Sequence, residues 1–184
     1  GAYLFFPGRL GHYNDNNKVE VEILDGGYVV KTPNWKRTVI EKSYPVDEFG
    51  TKAIVFDFEY ETDLQANNEE WLVRFSGEGL SNDGVFHTDL NGYNFDTHHF
   101  RSDMPIQSQV FPMPTHASIE DAQQRLTILS EHAQGTASLQ EGSIDVWLDR
   151  RLMQDDERGL GQGVRDNVPT RTRLRVVVEK EGYD

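Results

Sequence analysis

Glycines placed after charged residues let a backbone come close to a ligand. Residues 155–163 have that composition: Asp155-Asp156-Glu157-Arg158-Gly159-Leu160-Gly161-Gln162-Gly163. Arg158 adds a planar fork of hydrogen-bond donors. A dinucleotide cradle would need G-x-G-x-x-G between a strand and a helix. The spacing here is G-x-G-x-G, and Val164-Arg165-Asp166-Asn167-Val168-Pro169 does not begin a helix, which argues against a nucleotide. Composition leaves two readings open: a long hairpin connection, or an arm built to reach a ligand.

Other candidates for chemistry are weaker. Asp89-Leu90-Asn91-Gly92-Tyr93-Asn94-Phe95-Asp96 has the oxygen-rich look of a calcium loop, but its glycine comes too early and Phe100 stands where the closing glutamate belongs. A β-turn at Asn91-Gly92 closing a hairpin is the better expectation. His98 and His99 are adjacent, so on a strand they point to opposite faces. His87 and Asp89 share a face, yet no third ligand can be placed, and no metal site is expected. A glycosidase needs two carboxyl groups about 5–9.5 Å apart, and no pair stands out among 31 acidic residues. Serine, histidine and aspartate occur without a nucleophile-elbow sequence. No catalytic residue is assigned to this segment. Trp35, Trp71 and Trp147 could each stack on a sugar ring, although aromatics more often fill cores. Trp35, within Pro33-Asn34-Trp35-Lys36-Arg37, has the most polar surroundings and is the stacking candidate.

Charge narrows the partners. The net charge is −13, from 31 Asp plus Glu against 18 Lys plus Arg. That field repels phosphate backbones and anionic membranes, so neither nucleic acid nor membrane contact is expected. A neutral sugar is indifferent to it. The absence of cysteine excludes disulfides and thiolate-bound zinc. No apolar run approaches the roughly 20 residues of a membrane span. Residues 1–184 read as one domain, and both ends read as cuts within a longer chain.

The elements that must position these residues follow the strand period of two. Val19, Val21 and Ile23 alternate with Glu20, Glu22 and Leu24. The same alternation runs through Ile54–Tyr60, Trp71–Phe75, Ile144–Leu148 and Leu174–Val178. Each has one apolar face and one mostly polar face, as antiparallel sheets do when one side meets a core and the other meets water. Glycine-rich turns at Asp25-Gly26-Gly27, Asn82-Asp83-Gly84, Asn91-Gly92 and Glu141-Gly142 separate the runs. The expected fold is an all-β antiparallel sandwich with little or no helix. One segment dissents. Ser118-Ile119-Glu120-Asp121-Ala122-Gln123-Gln124-Arg125-Leu126 offers an N-cap, an acidic first turn and good helix formers.

Several blocks read together resemble the Golgi-type α-mannosidase II group of glycoside hydrolase family 38. They are Gly1–Pro7, Thr88-Asp89-Leu90-Asn91-Gly92-Tyr93, Pro105-Ile106-Gln107 with Val110-Phe111-Pro112-Met113 and Ile119-Glu120-Asp121-Ala122, Arg125–Ser130, and Asp149-Arg150-Arg151-Leu152-Met153-Gln154-Asp155-Asp156 continuing through Gly163 to Asp166-Asn167. Gly-Leu-Gly-Gln-Gly separates this group from the lysosomal branch. His87 stands where the family usually carries an aromatic or hydroxyl residue.

The resemblance implies a C-terminal β-sandwich segment, supersandwich-like, of a zinc-dependent retaining α-mannosidase that trims mannose from N-glycans. The nucleophile, acid/base and zinc ligands would lie in a catalytic barrel earlier in the same chain, so the segment alone would be inactive and hold no cofactor. Its partners would be that barrel and a mannose-containing glycan. Its setting would be the Golgi lumen, within a type II membrane protein. The family pattern also makes residues 118–130 two strands, which is the expectation adopted here. Carried over, Arg158 and Gly159 would approach the sugar, with Asp155, Asp156 and Gln162 holding the loop. The competing reading is an independent carbohydrate-binding or interaction module.

Overall fold

The computed structural model describes residues 20–24, 27–31, 35–43, 52–155, 159 and 161–180. The described strands are β1 (Glu20–Leu24), β2 (Gly27–Lys31), β3 (Trp35–Ser43), β4 (Lys52–Thr62), β5 (Glu69–Ser76), β6 (Val85–Leu90) and β7 (Asn94–His99). They continue with β8 (Phe111–Met113), β9 (His116–Glu120), β10 (Gln124–Ser130), β11 (Gln134–Ala137), β12 (Ser143–Arg151) and β13 (Thr170–Lys180). A nine-stranded sheet runs in the order β1-β2-β3-β4-β13-β10-β9-β6-β7, and a four-stranded sheet in the order β5-β12-β11-β8. Every named pair is antiparallel. The all-β sandwich read from the period-two pattern is the fold observed. Among the described residues, no helix is long and apolar enough to cross a membrane.

The core lies between the two sheets. Leu174 and Val176 of β13, Leu126 and Ile128 of β10, and Ile119 of β9 meet Ile144 and Val146 of β12 and Phe75 of β5. Complete burial of an aliphatic side chain of this size contributes about 1.5–3 kcal/mol. Aromatic pairs cross the gap. Phe58 of β4 meets Phe75 edge-on at 4.9 Å between centroids, and Phe86 of β6 meets Phe111 of β8 edge-on at 5.6 Å. The His98 ring stacks on Phe111 at 3.8 Å, so this histidine belongs to the core while His99 is exposed.

The segment with helical propensity forms the β9–β10 hairpin. Asp121 does the work expected of an N-cap, but in a turn. Its Oδ1 accepts from the Gln123 and Gln124 N–H groups, and its own N–H donates to the Gln124 carbonyl. Too few apolar residues recur at helical spacing to outweigh burying Ile119, Leu126 and Ile128 on one sheet face.

The hairpin between β6 and β7 closes as expected at Asn91-Gly92, both with positive φ, 63° and 74°. Asp89 anchors it. This residue is 1% exposed, and its carboxylate accepts from Gly92 N–H, Thr115 N–H, the Thr115 hydroxyl and His116 N–H. Burial alone would raise the Asp89 pKa, but these bonds together hold it below the ordinary value.

The outward faces of the two sheets differ. On β13, Arg171, Arg173 and Arg175 alternate with core residues and pair across to Glu61, Glu59 and Asp57 of β4. This ladder meets water, as the alternation implies. On β12 the polar residue Asp145 is only 1% exposed. Arg74 of β5 lies over it and donates two hydrogen bonds, at 2.6 and 2.8 Å.

A glycine-rich arm with a braced root

The arm between β12 and β13 leaves the sandwich where β12 loses its regular register. Trp147 pairs with Leu72 and Asp149 with Trp71, so Leu148 is an extra residue in the strand. Such a bulge re-aims the side chains that follow it. Here it brings Arg150 opposite Glu70. The Trp147 indole N–H donates to Glu70 Oε2 at 3.3 Å, and Arg150 Nη1 lies 3.7 Å from Oε1. The Glu70 side chain is 9% exposed. Burial pushes its pKa up, opposed by the Trp147 hydrogen bond and the Arg150 charge.

Both limbs of the arm are tied at the root. Asn167 on the return limb donates from Nδ2 to Asp149 Oδ1 and to the Arg150 carbonyl, each at 2.9 Å. Arg151 donates to Asn67 Oδ1 at 3.1 Å, and to the Arg165 carbonyl and Asn167 Oδ1 at 3.3 Å each. The Leu152 N–H donates to the Val164 carbonyl at 2.9 Å, joining the outgoing and returning limbs. Asn68 Oδ1 accepts from the Met153 N–H at 2.9 Å.

The described glycines of the arm do different things. Gly163 packs so closely on Leu152 and Met153 that a Cβ would collide with the Leu152 carbonyl. Gly161 has φ +67° with open space around it, a conformation that other residues adopt at a cost. Gly159 is exposed and also open.

At the foot of the arm lies an open groove of about 420 Å³. Its walls include Trp147, Asp149 and Arg150 of β12, Gln134 of β11, and Asn167 and Val168 of the return limb. Asp149 Oδ2 is buried and accepts no hydrogen bond from the described residues, while Oδ1 is held by Asn167 and the Arg150 N–H. An acceptor left in that state costs about 1–3 kcal/mol.

The sequence-derived candidates fall as follows. Gly159 and Gln162 are exposed on the arm, and Asp155 is half-buried beside its outgoing limb. Arg158 and Asp156 lie outside the described residues, as does the side chain of Trp35, whose backbone begins β3. The root residues Asn67, Asn68, Asp149, Arg151 and Asn167 were not singled out as its braces. Asp149, Arg151 and Asn167 do stand inside the block that resembles family 38, which was the available signal. Asn67 and Asn68 carried none. Trp147 was weighed as a stacking face as well as a core residue, with Trp35 preferred to it.

Among the described residues, no three His, Asp or Glu side chains converge on a point that could hold a metal ion. Asp89, the calcium-like candidate, already has its carboxylate filled by protein donors. The described residues therefore do not fit zinc.

Residues 1–158 match the family described as Glycosyl hydrolases family 38 C-terminal domain. The chain belongs to this family. It is 36% identical over 182 residues to alpha-mannosidase 2 of Rattus norvegicus, covering 98% of this chain and 16% of the rat protein. With alpha-mannosidase 2 of Arabidopsis thaliana it shares 35% identity over 179 residues, 91% of this chain and 15% of the plant protein. With alpha-mannosidase 2 of Mus musculus it shares 46% identity over 114 residues, 62% of this chain and 10% of the mouse protein. This family 38 domain thus spans between a tenth and a sixth of the length of these relatives.

Proposed function

We propose that this chain is the C-terminal β-sandwich portion of a retaining α-mannosidase that removes terminal α-mannose from N-glycans in the Golgi lumen. The hydrolytic carboxylates and the zinc ligands belong to a catalytic domain elsewhere in the longer protein. The sandwich buttresses that domain and lends it the arm, with Arg158 and Gly159 approaching the sugar. The observation that carries this reading is the construction of the arm. Its root is fixed by Asp149, Arg151 and Asn167, and its glycines give the backbone room to approach a ligand. Binding groups on a fixed base work because misplacement by an ångström costs about 100-fold in rate.

In the longer enzyme, Arg158→Ala should lower kcat/KM for an α-mannoside roughly ten- to hundredfold, the loss expected for one charge-assisted hydrogen bond. The 184-residue chain alone should release no product from the same substrate with zinc added. Turnover by the isolated chain, or an unchanged kcat/KM in Arg158→Ala, would overturn the reading.

A further inference from the structure

We propose that Asn91 is a site of spontaneous deamidation that the closed β6–β7 hairpin holds latent, with the Asp89 carboxylate as the restraint. This chemistry is independent of any glycosidase activity of the longer protein.

Asn91-Gly92 is the one Asn-Gly pair in the sequence. Deamidation requires the backbone nitrogen of the following residue to attack the asparagine side chain. Glycine leaves that nitrogen without a side chain beside it. Both residues are exposed at the tip of the hairpin, so water reaches them. In the first step the Gly92 nitrogen bonds to Cγ of Asn91, and the bond from Cγ to the side-chain nitrogen breaks. Ammonia leaves with the proton given up by the Gly92 nitrogen, and a cyclic imide remains. Water then opens one of the two imide carbonyls, giving aspartate or isoaspartate at position 91. Solvent water is the one co-reactant.

The fold opposes the first step. The Gly92 N–H donates to Asp89 Oδ2. Asp89 is itself fixed, because Oδ1 accepts from the Thr115 and His116 N–H groups at 2.8 Å each, and Oδ2 from the Thr115 hydroxyl at 2.9 Å. Attack requires the peptide unit between Asn91 and Gly92 to swing its nitrogen toward the side chain. That rotation withdraws a donor from a carboxylate that is 1% exposed, where water is a poor substitute. It also disturbs the positive φ values on which the turn closes, and the Tyr93 N–H bond to the Leu90 carbonyl. The Asp89 charge acts in the same direction, since the attacking nitrogen must give up its proton beside an anion. Asn82, which precedes Asp83 in another turn, is held differently: it is 3% exposed, and its own amide is engaged by the Val85 carbonyl, Ser138 and the Gly142 N–H. At Asn91 the restraint lies on the attacking nitrogen. Conversion therefore accumulates in molecules whose hairpin has opened. Isoaspartate adds a carbon to the main chain of the turn, which displaces the Gly92 N–H from Asp89 and keeps the restraint from re-forming.

The test follows the 184-residue chain in mildly alkaline buffer, native and in urea, by peptide mass spectrometry. Conversion at Asn91 should be about tenfold slower in the native chain, a restraint of about 1.4 kcal/mol. Asp89→Asn removes the charge and keeps the shape, and the folded variant should convert several-fold faster than wild type. Amide hydrogen exchange on the wild type gives a second readout. The Gly92 N–H should exchange slowly although Gly92 is exposed. Equal conversion in native and urea-treated chains, full protection retained in folded Asp89→Asn, or unhindered exchange at Gly92 overturns the proposal. If Asp89→Asn does not fold, conversion and exchange in the wild-type chain still decide.

Discussion

A carboxylate at 1% exposure needs donors on every side, and Asp89 has them from three residues of two separate segments. Removing it strands the N–H groups of Gly92, Thr115 and His116. Asp89→Ala should cost about 3 kcal/mol, the order expected when buried donors lose their acceptor. Urea denaturation would measure it, and a loss below about 1 kcal/mol would show that water replaces the carboxylate. The pKa adds a direction. The folded value lies below the unfolded one, so this contribution is present above the ordinary carboxylate pKa and disappears as pH falls through the folded value. The sequence showed Asp89 as an acidic residue near a turn, but not its occupants. Thr115 and His116 lie far along the chain, and only the β6–β9 pairing brings them beside it.

At the scale of elements, period-two alternation marked β1, β4, β5, β12 and β13, and in the last four it reports burial on one face, whereas Ile23 of β1 is 79% exposed. It could not report what lies on the other face. Asp145 alternates with Ile144 and Val146 like a solvent-facing residue, and is buried because Arg74 sits across the ladder. The helical propensity of residues 118–126, set aside in favour of two strands, is outweighed for a related reason. Asp121 bonds the backbone locally, and local bonding serves a turn as well as it serves a cap. The arm was legible as a unit from its glycines, while its braces were not, since Asn67 and Asn68 come from the β4–β5 connection. The glycines yield a test. Gly163→Ala forces a Cβ into the Leu152 carbonyl, so the limbs must separate. The melting temperature should fall by a few degrees, about 4 °C for each kcal/mol lost in a chain near this size. Gly159→Ala, with open space around the glycine, should leave it nearly unchanged. Equal effects at both positions would contradict the close packing at Gly163.

For the whole molecule, the joint between the sheets is one source of the response of stability to acid. His98 is 7% exposed, stacked on Phe111, with Nε2 hydrogen-bonded to the Thr88 hydroxyl. Burial lowers its pKa, Asp96 opposes this, and His87 and His99 add to it; burial lowers that of His116 as well. Between the folded values and the ordinary 6.5, the unfolded chain binds more protons than the folded one. Unfolding free energy should therefore fall as pH drops from 7.5 to 5.5, by up to about 1.4 kcal/mol per pH unit for each proton. His98→Gln should flatten part of that slope in urea titrations, and an unchanged slope would assign the effect to other groups. The ladder on the opposite side of the large sheet has a different consequence. Seating a greasy neighbour over Arg171, Arg173 and Arg175 would strip water from several guanidinium–carboxylate pairs, at a cost that attraction within each pair seldom recovers. An apolar neighbour therefore gains little by seating on that charged terrace.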